Sequence, residues 1–222
     1  MRPAMETEPM TRHTTADLNS TLLDWGCPTD VADAVRVLAA GGARLADAIA
    51  DQRFPSNPQP DDGVAPEVLN GGNDVAHALD VHAHDLFVAA LRGTSTRALV
   101  SEEAHEIVEI DPDGELLVAI DPLDGSSNIA INAPLGTIFG LRRHDTNGPD
   151  LETQFLEAGR HIVAAGYIMF GPTTVLVLST GAGVAMFSLD RPTGNFLVST
   201  ADVRLPACGR EFAINVSNYR HW

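Results

Sequence analysis

Acidic residues gather at three places in this sequence, and two of those places end strand-like runs. Asp121 and Asp124 stand three residues apart in AIDPLDGSSN, directly after the apolar run LLVAI. Glu102 and Glu103 close the run RALVSEE, and Asp74 and Asp80 lie in a helical stretch upstream. Such acids suit a hard divalent cation: magnesium takes oxygen ligands, usually one or two carboxylates together with substrate phosphate and water. Two metals about 4 Å apart can activate a water and stabilise the leaving oxygen of a phosphate displacement. Asp121 and Asp124 are near enough in sequence to share such a pair, and Leu123 between them offers its carbonyl. Pro122 restricts Asp121 to extended geometry, which helps fix that carboxylate at a strand end. Gly125, Ser126 and Ser127 follow with backbone N–H groups and hydroxyls for a phosphate. A cation there neutralises charge, so an acidic site can receive an anionic ester.

Each piece also has an ordinary explanation. Asp-Pro-x-Asp-Gly is good turn chemistry, and Asp111-Pro112-Asp113-Gly114 is read as a turn and nothing more. Glu102-Glu103 alone is a solvated strand end, and Asp80 alone an exposed helix acid. Strands joined by a hairpin run antiparallel, so the sequence leaves open whether Glu102 and Asp121 meet. Among the eight histidines, His77 and His84 fall on adjacent helical turns with His82 between them. No HExxH is present, which favours surface or packing roles over zinc. GxSxG is absent too, so no nucleophilic serine is indicated.

The elements that must position these residues are helices first and strands later. Residues 18–53 are predicted helical, with Val31, Ala34, Val35 and Leu38 at helical spacing, an N-cap at Thr29 or Asp30, and a weak point at Gly41-Gly42. The segment 54–73 is rich in proline, glycine and asparagine and is expected to be a long loop. A second helix is expected over 74–94, ended by Gly93. RALVS, HEIVEI, LLVAI, TIFGL, HIVAAGYIMFG, TTVLVLST, GVAMFSL and FLVST follow as strands, and EFAIN at 211–215 as one more. The order predicts an α+β fold of layered helices on a β-sheet. No internal repeat is apparent.

The chain has 222 residues, 44% of them hydrophobic, which suffices for one large domain or one domain and part of a second. No apolar run is long enough to cross a bilayer, and the polar start MRPAMETEPMTRHTT lacks the core of a signal peptide. A soluble, cytoplasmic protein without a membrane partner is expected, with a loose tail over 1–17. Cys27 and Cys208 are far apart and in no metal-ligand spacing, which also fits a reducing compartment. A formal net charge of −16 argues against a nucleic-acid partner, since phosphate backbones call for lysine and arginine.

LVSEE at 99–103, DPLDGSSNI at 121–129, GTIFG at 136–140 and AAGYIMFGPTTVLVLS at 164–179 resemble class 1 fructose-1,6-bisphosphatase in order and spacing. That family lies within the magnesium-dependent, lithium-sensitive phosphatases. The resemblance implies a sugar-phosphatase fold, with helices on a mixed, largely antiparallel sheet. The implied activity is hydrolysis of the 1-phosphate of fructose 1,6-bisphosphate, in gluconeogenesis or the Calvin cycle. It implies Glu102, Asp121, Asp124 and the Leu123 carbonyl as ligands of two or more Mg2+ ions, with Mn2+ as an alternative. Asp124, Gly125, Ser126 and Ser127 become the 1-phosphate cradle, and Asp80 and Glu103 the acids that orient or deprotonate the attacking water. Asn215 becomes a contact to the far phosphate of a small-molecule sugar bisphosphate. The loop 54–73 matches one that closes over the metals, and the family's tetramer is the expected homo-oligomer.

The chain also departs from the family pattern. Ala130 stands where an acid usually follows Asn-Ile, and His77-Ala78 where the family often has two lysines. Glu115-Leu116 replaces a Lys-Tyr pair of AMP-regulated members, so AMP inhibition through the usual site is not expected. The family continues about a hundred residues past Trp222, on the usual size of a domain. The expected organisation is therefore a tail over 1–17, a phosphatase domain with the metal site over 18–205, and the beginning of an incomplete C-terminal α/β domain over 206–222. Two alternatives stay open: a sedoheptulose-1,7-bisphosphatase, and a non-catalytic truncated remnant, with poor solubility expected of an exposed half-sheet.

Overall fold

Asp17 starts the folded chain by capping a helix. Its carboxylate accepts the Ser20 N–H at 2.8 Å while Ser20 Oγ accepts the Asp17 N–H at 2.9 Å, a reciprocal pair that satisfies two orphan donors. The computed structural model describes residues 16–51 and 70–209. Within them the predicted 18–53 helix is two helices, α1 (Leu18–Asp24) and α2 (Thr29–Ala50), parted at Gly26 and Pro28. Ala16 and Asp17, placed in the tail by sequence, are tied to the last strand: Val198 N–H donates to Ala16 O at 3.0 Å.

Helix α2 buries Val31, Ala34, Val35, Leu38 and Leu45 along one face. It runs unbroken through Gly41-Gly42, contrary to the sequence expectation. Both glycines are buried: a methyl at Gly41 would lie 2.8 Å from a Phe87 ring carbon, and one at Gly42 would overlap Ile168 Cδ1. The pair is there for close helix packing, which outweighs its poor helix propensity. Helix α3 (Asn70–Leu91) begins inside the segment expected to be loop, so 70–73 belong to its first turn. Residues 52–69 lie outside the described residues. No helix among the described residues is long and apolar enough to cross a membrane.

Eight strands form one sheet: β1 (Thr96–Ser101), β2 (Val108–Glu109), β3 (Leu116–Asp124), β4 (Leu135–Arg143), β5 (Ile162–Phe170), β6 (Val175–Ser179), β7 (Val184–Asp190) and β8 (Asn195–Thr200). Their order is β2-β1-β3-β4-β5-β6-β7-β8. From β3 to β8 the sheet is an antiparallel meander, and β1–β3 is its parallel pair. The helices cover one face, where Leu38, Phe87, Leu116, Val118, Phe139, Leu141, Ile168, Leu176 and Phe187 form the core. This is the α+β layering that the order of elements predicted, on the mixed, largely antiparallel sheet that the resemblance implied.

HEIVEI is mostly not a strand. Only Val108–Glu109 pairs, and it pairs with β1 rather than with β3. The turn at Asp111–Gly114 carries the chain across the start of β1, where Glu115 and Leu116 both donate to Ser95 O at 2.9 Å. Gly114 passes so close that a side chain there would run into the backbone of Thr96 and Arg97. That crossing places β3 on the inner side of β1 and makes the two strands parallel. The expected strand at 211–215, and with it most of the expected C-terminal segment 206–222, falls beyond residue 209 and outside the described residues.

Candidate active site at the ends of β1 and β3

Parallel neighbours end at the same side of a sheet. Ser101 is in register with Ile120, and Glu102 N–H donates to Ile120 O at 3.2 Å, so Glu102 comes opposite Asp121. The sequence had left this meeting open. The parallel crossover decides it.

A bulge places the second aspartate. Asp121 pairs with Ile138 and Asp124 with Gly136, so three steps on β3 match two on β4. The extra residue reverses the side-chain alternation. Leu123 turns into the core, whereas Asp124 stays exposed and near enough to Asp121 to repel it. The Pro122 carbonyl inside the bulge accepts the buried Thr137 hydroxyl at 2.9 Å. Asp121 Oδ1 accepts the Leu123 N–H at 3.1 Å, which bends the chain tightly over Pro122.

Gly125 then turns the chain with φ +80° and opens a short 3-10 helix over Ser126–Ile131. Its left-handed backbone suits glycine. Asn128 locks the turn: its N–H donates to Gly125 O at 2.7 Å and its side-chain amide to Pro134 O at 2.9 Å. Ser126 and Ser127 sit at the helix start, where amides lack intrahelical acceptors. Helix α3 packs on this turn and on β1 and β3.

Asp80 comes down from α3 onto the same place. It is only 8% exposed, so it is no solvated helix acid, and its Oδ1 is buried without a hydrogen-bond partner. Burial pushes its carboxyl up. Ser126 and His77 pull it down, and Glu102 pushes it up again. Burial also raises Glu103, and Asp80 and Glu102 raise it further against His77 and His84. Asp121 is pushed up to about 7, first by burial, then by its contact with Glu102 and the charges of Glu102 and Asp124. Glu102, Glu103 and Asp124 are exposed and Asp121 is half-buried.

The structure thus brings together Asp80, Glu102, Glu103, Asp121 and Asp124, with Leu123, Gly125, Ser126 and Ser127 alongside. Asn215 lies outside the described residues. Among the described residues no three of the acids are already closed into a cage. Carboxylates that repel one another, with an orphaned buried oxygen among them, nonetheless fit a divalent cation, which would satisfy and discharge them together.

Sequence reasoning missed two polar residues behind the site. His84 Nδ1 lies 3.0 Å from Ser101 Oγ, and Ser101 Oγ accepts the Glu103 N–H at 3.3 Å. The spacing of Asp80 and His84, one helical turn apart, was the available signal for the histidine. Nothing local marked Ser101.

The family model for the fructose-1-6-bisphosphatase N-terminal domain matches residues 63–201. A class 1 fructose-1,6-bisphosphatase of Methylobacterium radiotolerans is 44% identical over 153 residues, covering 69% of this chain and 44% of the relative. One of Xanthobacter autotrophicus is 40% identical over 195 residues, covering 87% and 58%. The chain spans about half the length of the curated relatives it matches. The holo crystal structure of Leishmania major fructose-1,6-bisphosphatase superposes with a TM-score of 0.73 at 26% identity, over 93% of this chain and 62% of that one. The paired strand ends, the bulge between two aspartates and the matched family domain lead to one conclusion: this chain belongs to the fructose-1,6-bisphosphatase family.

Proposed function

We propose that the chain hydrolyses the 1-phosphate of fructose 1,6-bisphosphate, giving fructose 6-phosphate and phosphate, with magnesium at the β1/β3 strand ends. The observation that carries this reading is the gathering of five carboxylates beside the Gly125–Ser127 turn, in a chain of a family of metal-dependent phosphatases.

Glu102, Asp121, Asp124 and the Leu123 carbonyl are the assigned ligands. Magnesium bound there would polarise the phosphate and acidify a water. The chain's own residues do the rest. The carboxylates, discharged in this way, would no longer repel an anionic ester. Ser126 and Ser127 offer hydroxyls and amides to the phosphate oxygens, on a turn that Gly125 and Asn128 hold rigid. Asp80 and Glu103 take the proton of the attacking water. Their carboxyls are raised, which brings a base closer to the operating pH and makes proton transfer more effective. The residues 18–205 form the phosphatase domain of this reading, and a sugar bisphosphate is its partner.

Phosphorus NMR of the reaction tests the assignment. The expected product from fructose 1,6-bisphosphate retains the 6-phosphate and has lost the 1-phosphate. Loss of the 6-phosphate, or faster turnover of sedoheptulose 1,7-bisphosphate under competition, would contradict it.

A further inference from the structure

We infer that His84 and Ser101 are positioning residues that set the distance between Asp80 on α3 and the Glu102-Glu103 corner after β1. The inference rests on the metal-site reading above. Asp80 and the two glutamates lie on different elements, and nothing in the parallel pairing of β1 with β3 fixes α3 against that corner. The link from His84 Nδ1 to Ser101 Oγ, 3.0 Å, crosses from helix to strand one turn below Asp80. The second link, from the Glu103 N–H to Ser101 Oγ, 3.3 Å, carries the constraint into the corner itself. Ser101 is 8% exposed and His84 half-buried, so water competes little for either bond. The hydroxyl oxygen holds both partners at once: it accepts from Glu103, and either donates to His84 Nδ1 or accepts from it according to the tautomer.

Groups that hold a metal ligand in place typically change metal affinity ten- to a hundred-fold when removed, and the corner held here carries the assigned ligand Glu102. Binding of Mn2+ alone, followed by electron paramagnetic resonance, therefore reads the link without any turnover. His84→Ala and Ser101→Ala are each expected to weaken Mn2+ binding roughly ten-fold. The double variant is expected to lose no more than the worse single, because one chain of bonds is cut in both. His84→Asn, whose side-chain amide sits as many bonds from the backbone as Nδ1, is expected to restore most of the affinity. Ser101→Ala removes a single oxygen and serves where His84→Ala unfolds. Unchanged affinity in Ser101→Ala, losses that add in the double variant, or no rescue by His84→Asn would overturn the inference alone. No Mn2+ binding by the unaltered chain would instead overturn the metal-site reading, and this inference with it.

Discussion

Asp121 is the residue on which the site's electrostatics converge. Its carboxyl rises to about 7 because burial, Glu102 and Asp124 all disfavour the charge. A folded value above the ordinary 3.8 means that the folded chain keeps a proton the unfolded chain has released. Between about pH 4 and pH 7 the metal-free protein therefore loses stability as pH rises, and below that window the term is fully favourable. Solvent screening at this half-buried position reduces the effect. Asp121→Asn is expected to raise the Tm of the metal-free chain at pH 8 by roughly 2–4 °C, the shift of about 1 kcal/mol in a domain of this size, while removing metal binding. Thermal melts with and without a chelator check both parts. Glu115 is a second informative residue: it is exposed, and a carboxylate there repels a nucleotide phosphate where AMP-regulated members carry a lysine. AMP is expected neither to inhibit turnover nor to bind at micromolar concentration, as calorimetry would show.

At the scale of elements, close approach and bulge decide where the acids go. Gly114→Ala is expected to cost roughly 2 kcal/mol or more, because its methyl meets the backbone of Thr96 and Arg97, which cannot turn aside. Thr137→Val leaves the Pro122 carbonyl of the bulge without its buried donor, at a cost of about 1–3 kcal/mol. Urea unfolding measures both, and the Thr137 variant should also weaken Mg2+ binding, since the bulge sets Asp124 beside Asp121. These features explain what the sequence could and could not disclose. β4 to β8 were legible because each is an apolar run set off by turn residues and pairs with its chain neighbour. HEIVEI has strand composition, but its first half pairs with no strand, and partners are chosen by the crossover at Gly114. Gly41-Gly42 looked like a break because local propensity is blind to Phe87 and Ile168. The acids at 102, 103, 121 and 124 could be found from motifs. The burial of Asp80 and the His84–Ser101 link depend on how α3 docks, which no local pattern encodes.

Across the whole molecule, a net charge of −16 makes the folded chain self-repelling, and the acid cluster concentrates part of that repulsion at one end of the sheet. Surface ion pairs such as Arg191–Asp47 and Arg36–Asp33 offset little of it. A cation that binds only the folded chain stabilises it by mass action, about 2.7 kcal/mol at a hundred times its Kd. Mg2+ is therefore expected to raise the Tm well beyond NaCl at equal ionic strength, and Asp121→Ala should reduce its effect to that of salt.

The most direct test of the central claim is phosphate release from fructose 1,6-bisphosphate across a magnesium titration, for this chain and for Asp121→Ala. Release is expected to rise with magnesium, to vanish with a chelator and to be lost in the variant. Release without magnesium, release that survives Asp121→Ala, or no release from the unaltered chain would contradict it.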